Sequence, residues 1–312
     1  MHNEPDPLAL SAARGARLIA LDRLDQAGDQ ADRLANNPHS LDALHDLRVA
    51  LRRVRSWIRA FRLDLNDSVS RKDRHRLRDI VDATNRGRDA DVQVEWLRRA
   101  SSRGDEPLKR GAKRLIDLIR DERDRGGAPL NGSSLDKFEE ERSRLTKRLS
   151  TVSEPVRRPK APPPTLAAAI GARLPAHFEI LRKALELVHT ADDDRQAHAA
   201  RIAAKRLRYL LEPAEDVRGS KSIIKQLKRL QDDLGELHDA HLLGQRVKDA
   251  VLNDPGTETL ALEAVARALA ADRAEAFGRI DRRWLSDAAA IEKLGHGVES
   301  VAHRLAAMPR EV

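Results

Sequence analysis

Hydrophobic residues recur every three or four positions over most of the chain, which is the periodicity of an amphipathic α-helix. The clearest apolar row is Leu44, Leu47, Leu51, Val54, Ile58 and Phe61. Asn37 and Pro38 precede it and predict the capped start of its helix. The same periodicity predicts helices over residues 8–34, 69–100, 106–125, 135–149, 166–188, 195–212, 220–252, 258–280 and 285–307. No segment has a strand pattern, so the sequence predicts an all-α fold.

A row of basic residues runs beside this apolar row, displaced by one residue. One residue corresponds to about 100° around a helix axis, so the basic side chains flank the predicted core seam. Arginine suits phosphate recognition because its planar fork donates two parallel hydrogen bonds and keeps its charge when partly desolvated. The basic row comprises His45, Arg48, Arg52, Arg55, Arg59 and Arg62.

The same pairing returns after 153 residues, where Ala197, Ala200, Ala204 and Leu207 accompany His198, Arg201, Lys205 and Arg208. A weaker repeat at a shift of 150 matches Leu77, Arg78, Asp82, Arg88 and Asp89 to Leu227, Lys228, Asp232, His238 and Asp239. We therefore predict an internal duplication. Its expected parts are a first helical bundle over residues 1–149, a Pro-rich linker over 150–164 and a second bundle over 165–312.

Composition narrows the possible functions. The chain of 312 residues has a net charge of +8, and between His45 and Arg62 six arginines face one acid, Asp46. Focused positive charge favours a polyanionic partner such as nucleic acid, anionic lipid or a phosphate polymer. Aromatic residues make up only 3%, too few for a base-stacking platform.

Other features of the chain exclude several chemistries and suggest a location. The absence of cysteine excludes disulfides, thiolate catalysis and cysteine-ligated zinc. No apolar run approaches transmembrane length, and residues 1–7 do not resemble a secretory signal. We therefore expect a cytoplasmic protein that does not associate with membranes.

The motif His-x-x-Arg-x-x-x-Arg-Arg-x-Arg at His45–Arg55, with Lys205 replacing one arginine in its second copy, resembles the CHAD domain, the conserved histidine α-helical domain. The segments Leu230–Ala240 and Arg206–Tyr209 are similar to other recurrent parts of that family. The resemblance implies two duplicated four-helix bundles around a basic cavity that binds inorganic polyphosphate, often at polyphosphate granules. Arg88 stands where the second half has His238, so the first half departs from the family pattern.

The resemblance and the repeat together predict the site residues. We expect acids to support the basic side chains as outer partners, and we expect no cofactor, metal or catalytic residue. The expected partners are polyphosphate and polyphosphate-metabolising enzymes or granule proteins, with nucleic acid only a weak competitor. The expected polyphosphate ligands are His45, Arg48, Arg52, Arg53, Arg55, Arg59, Arg78, Arg88, His198, Arg201, Lys205, Arg206, Arg208, Lys228 and His238, and the supporting acids are Asp82, Asp89, Asp232 and Asp239.

Two alternatives remain open at this stage. The charge pattern alone also suits a general binder of nucleic-acid backbones. The pairs His45-Asp46 and His238-Asp239 occur in all-helical metal phosphohydrolases, but Asp46 matches Ala199 in the repeat and His238 matches Arg88. The repeat therefore favours non-catalytic binding over hydrolysis.

Overall fold

The computed structural model describes residues 5–38, 40–85, 88–126, 132–151, 162–253 and 259–310. Within these ranges the chain forms eleven α-helices, and its β-structure is limited to one isolated bridge between Ser11 and Thr165. The all-α prediction is confirmed. The helices are α1 (Ala12–Asn36), α2 (Leu41–Ala60), α3 (Arg71–Asn85), α4 (Arg88–Arg103), α5 (Glu106–Gly126), α6 (Gly132–Thr151), α7 (Leu166–Leu185), α8 (Asp194–Leu211), α9 (Ser220–Asn253), α10 (Thr259–Ile280) and α11 (Ala288–Ala306).

Helix α2 forms where its apolar row predicts it, but its cap is different. Ser40, not Asn37, occupies the N-cap, and its side-chain oxygen accepts a hydrogen bond of 3.1 Å from the Ala43 backbone N–H. Asn37 instead closes the C-terminal end of α1, where its N–H donates to Arg33 and Leu34 carbonyls. Both residue types suit caps, so local sequence alone does not determine which one starts the helix.

Within the stretch predicted to be helical over 69–100, α3 extends to Asn85 and α4 starts at Arg88. Residues 86 and 87, between these two helices, lie outside the described residues. The matching stretch of the second half is the single helix α9.

Buried apolar side chains gather in two hydrophobic clusters, and each cluster combines helices from both sides of the 150–164 segment. The larger cluster includes α1, α2, α3, α6, α7, α8, α11 and the first part of α9. The smaller one joins α4 and α5 to α10 and the second part of α9. The division of the chain into 1–149 and 165–312 remains a prediction.

A glycine permits one close helix contact in the smaller cluster. A Cβ atom at Gly111 on α5 would lie 2.2 Å from the carbonyl oxygen of Ala261 on α10. The two backbones can approach this closely only because no side chain stands between them. Packing of this kind fixes α10 beside α5.

Candidate functional site

A basic cleft of about 380 Å³ lies between α2 and α3. Ile58 and Leu77 form its apolar floor, and both are buried. Its other lining residues are all basic, which concentrates positive charge in one concave surface. They are Arg55, Arg59 and Arg62 from α2 and the turn after it, and Arg71, Arg74, His75 and Arg78 from α3.

The cleft follows from the placement of two amphipathic helices. The apolar row of α2 is buried, so the basic row one residue later comes to the edge of the core. On α3, residues 71, 74, 75 and 78 have the spacing of a single helix face. Arg74 Nη1 donates to the Val69 carbonyl at 2.9 Å, which holds one of these side chains at the start of the helix. The two basic faces therefore meet across the cleft.

Arg48 has a different environment from the residues of the cleft. It is only 2% exposed, and its Nε donates a hydrogen bond to the carbonyl oxygen of Thr84 near the end of α3. Asp82, two residues earlier on α3, has its Oδ1 atom 3.4 Å from Arg55 Nη1. Arg48 therefore joins α2 to α3, and Asp82 orients an arginine of the cleft.

The second copy of the motif gathers basic groups between α8 and α9. The rings of His198 and His238 are 4.6 Å apart. The guanidinium of Arg201 lies beside Gly235, where a Cβ would stand 3.5 Å from its Nε. Burial, together with His198, Arg201 and other neighbouring cationic groups, lowers the pKa of His238 to about 4. His238 is therefore neutral at pH 7 and has one N–H to donate.

The two motif copies meet where α2 contacts α8. Burial lowers the pKa of Arg206 on α8, and the positive charges of Arg59 and Arg55 on α2 lower it further. Burial also lowers the pKa of His177 on α7, with Arg206 and other arginines as further causes. Basic residues from both halves of the chain thus lie close to one another.

Arg53 and Arg208, two of the predicted ligands, are directed toward the same acid. Glu212, directly after α8, has its Oε2 atom 3.3 Å from Arg53 Nε and its Oε1 atom 4.0 Å from Arg208 Nε. The same carboxylate lies 3.7 Å from Nη2 of the buried Arg23. Arg53 and Arg208 are therefore held by an internal ion-pair network.

The other predicted residues are more scattered. Asp232 is exposed, whereas Asp239 lines a separate cavity of about 520 Å³ between α4, α9 and α10. The side chains of Arg88 and Asp89 lie outside the described residues. His45 and Lys228 are exposed, and Arg52 and Lys205 are half-buried.

Sequence reasoning missed Arg71, Arg74 and His75 of the cleft and His177 on α7. The three α3 residues were detectable, because with Arg78 they form one helix face. His177 has no comparable signal, since its basic neighbours come from other helices.

Neither a metal site nor a membrane span is found in the described part of the chain. Those residues contain no group of three or more histidine, aspartate or glutamate side chains that could hold a metal ion. No helix among them is sufficiently long and apolar to cross a bilayer.

Comparison with known proteins gives a family and a fold. The family model described as the CHAD domain matches residues 18–248. A crystal structure of the CHAD domain from the plant Ricinus communis is similar to the chain, with 20% sequence identity, a TM-score of 0.62, and coverage of 94% of this chain and 93% of that chain. No curated protein matches the sequence.

Proposed function

Because the chain belongs to the CHAD domain family, we propose that it binds inorganic polyphosphate without catalysing a reaction on it. The observation that carries the proposal is the basic cleft between α2 and α3, whose polar lining consists of arginines and one histidine. Each internal phosphate of the polymer carries about one negative charge, so a chain of phosphates suits a continuous row of cations.

The arrangement of the arginines supports a linear ligand over a single small anion. Arg55, Arg59 and Arg62 follow one another along α2 by three or four residues. At 1.5 Å of rise per residue their backbones are separated by roughly 5 Å, comparable to the repeat of a phosphate chain. Successive phosphates of one polymer are therefore expected to contact successive arginines.

The proposed site extends beyond the cleft to the second motif copy. Arg206 adjoins Arg59, and Arg201 and Lys205 continue along α8 toward His198. The contact between α2 and α8 brings the two basic rows into one region, which supports a duplicated site. In this proposal the protein acts as a polyphosphate-binding component of granules or as a partner of polyphosphate-metabolising enzymes.

The experiment is a calorimetric titration with polyphosphate of defined length at near-physiological salt. The test variant is Arg71→Ala with Arg78→Ala, because both side chains are exposed and line the cleft. We expect at least a tenfold loss of affinity. We also expect a shallower salt dependence, since each lost phosphate contact releases about one counterion fewer.

The matched control is Arg98→Ala with Arg110→Ala, which removes the same charge from exposed positions of α4 and α5 outside the cleft. Equal losses in the two double variants would mean that net charge governs binding, which contradicts the proposed site. Duplex DNA of matched total charge serves as a competitor. Equal binding of DNA and polyphosphate would identify a general polyanion binder instead.

A further inference from the structure

The internal repeat places an acid in one copy where the other copy has a base. At the shift of 153 residues, Arg53 matches Arg206 and Arg59 matches Glu212. Helices α2 and α8 therefore carry the same pattern until near their C-terminal ends. There two positions are reversed in charge, because Arg62 likewise matches Glu215.

Helices α1 and α7 extend this correspondence. Their N-caps, Ser11 and Thr165, form the isolated bridge, and each side-chain oxygen accepts a hydrogen bond from the N–H three residues later. From these caps, the shift of 154 residues matches Arg23 to His177. The two triplets Arg23–Arg53–Glu212 and His177–Arg206–Arg59 thus occupy corresponding positions.

The first triplet, which we call the Glu212 cluster, contains its own counterion. Arg23 is 6% exposed and donates to the carbonyl oxygens of Arg53 and Tyr209 at 3.3 and 3.2 Å. The Glu212 carboxylate lies within ion-pair distance of Arg23 and Arg53. A guanidinium in so little water needs this partner, because an unpaired buried charge is costly.

The second triplet, His177, Arg206 and Arg59, has no such counterion among the residues that the structure describes, and we call it the Arg59 cluster. The three residues lie on helices that pack together, since α8 contacts both α7 and α2. Burial lowers the pKa of His177 and of Arg206, and the positive charge of Arg59 lowers both further, so like charges are held near each other. The nearby Asp64 is already paired with Arg173 at 2.5 Å. Among the described residues, neither Arg59 nor Arg206 forms an ion pair with an acid.

We propose that the Arg59 cluster holds one phosphate group of the bound polymer in the place that corresponds to the Glu212 carboxylate. The inference rests on the proposed function and adds a defined anchoring position to it. Two guanidinium forks and an imidazole N–H supply donors to the phosphate oxygens. The Glu212 cluster needs no phosphate, because its own carboxylate supplies the negative charge.

The test gives the Arg59 cluster an internal carboxylate like that of the Glu212 cluster. Arg59→Glu places a carboxylate at the position that matches Glu212, so we expect the fold to be retained and the phosphate position to be filled internally. The matched variant Arg62→Glu makes the same charge change in the same cleft but outside the cluster. We expect polyphosphate affinity to fall at least tenfold further in Arg59→Glu than in Arg62→Glu.

A second measurement addresses the cluster directly. On adding tripolyphosphate, the pKa of the His177 imidazole, followed by NMR, should rise by about one unit in the wild-type protein, because a nearby anion favours the charged form. It should rise less in Arg59→Glu. Arg59→Gln and Arg62→Gln replace the glutamate variants if Arg59→Glu fails to fold.

The outcomes separate this inference from the proposed function. Wild-type binding of polyphosphate with equal losses in the two glutamate variants and an unchanged His177 pKa would overturn the anchoring position and leave the proposed function intact. A wild-type protein that does not bind polyphosphate would overturn both.

Discussion

Helices α2 and α8 carry the same basic row on different apolar seams. In α2 the seam is built from large side chains, including Leu47, Leu51 and Ile58, all of them buried. In α8 the matching positions are mostly alanines, such as Ala200 and Ala204, which are buried as well. Small residues let α8 pack closely between α7 and α9, whereas α2 relies on large apolar side chains.

The comparison indicates which part of the repeat serves packing and which part serves binding. Large apolar side chains bury one face of α2, and alanines bury the matching face of α8. The basic residues that both helices share are not part of either buried apolar row. The charge pattern is the feature common to both copies, and it differs at the helix ends, where Arg59 corresponds to Glu212. In the proposed function, these shared charges serve a ligand that both copies contact.

The largest expected effect concerns the acid that only the second copy has. Glu212→Gln leaves the buried Arg23 without its counterion and should lower the free energy of unfolding by about 3–5 kcal/mol. Arg59→Gln at the matching position removes a repulsive charge and should change it by no more than about 0.5 kcal/mol. Urea unfolding at pH 7 measures both variants. Equal destabilisation would show that the two helix ends are electrostatically alike.

The seams themselves give the next comparison. Leu51→Ala removes a fully buried side chain and should cost about 2–5 kcal/mol of unfolding free energy, because a cavity remains. The reciprocal change Ala204→Leu should cost about 1–3 kcal/mol through overpacking. Both values come from chemical denaturation of the single variants. A neutral Ala204→Leu would mean that α8 does not depend on close approach.

The pH dependence of protein stability should reveal His238 in the second copy, a position where the first copy has Arg88. The folded-state pKa of His238, about 4, lies below the ordinary value of 6.5. The unfolded chain therefore binds more protons between these values, and this contribution to stability is lost as the pH falls from 6.5 to 4. We expect the melting temperature to fall less over this range in His238→Gln than in wild type. Identical pH profiles would contradict the neutral, half-buried histidine.

The smallest expected effect is a loss of stability with rising pH, opposite in sign to the effect of His238, and it arises in the first half of the chain. Glu141 on α6 is buried against α3, and its Oε2 atom lies 3.2 Å from Arg76 Nη1. In the second half, the contact between α9 and α11 is instead made by an apolar residue, Ile223. Burial and the nearby Asp73 raise the pKa of Glu141 to about 7. The folded state then binds more protons between pH 4.5 and 7, so stability falls as the pH rises through this window.

Glu141→Gln imitates the protonated acid and should remove this decline. The measurement is the difference in melting temperature between pH 5 and pH 7.5 for the variant and for wild type. Glu140→Gln, an exposed neighbour on the same helix, is the control. A wild-type decline that persists in Glu141→Gln would assign the effect to another group.

The sequence by itself determined the helices and the two faces of α2 and α8. Every member of the row from Leu44 to Phe61 is buried, because 3.6-residue periodicity is a local property that any packing partner must respect. It also identified the motif that places the chain in its family. The cap of α2 was less determined, since Asn37 and Ser40 are both suitable N-cap residues of similar free energy.

Only the tertiary structure decided which basic residues face a cleft and which face an acid. Arg48 and Arg59 share one row, yet Arg48 is buried against the Thr84 carbonyl and Arg59 lines the cleft. Arg53 turns to Glu212, a partner 159 positions away in sequence. Periodicity specifies the face of a helix but not its neighbours, because long-range packing alone determines which side chains from other helices meet that face.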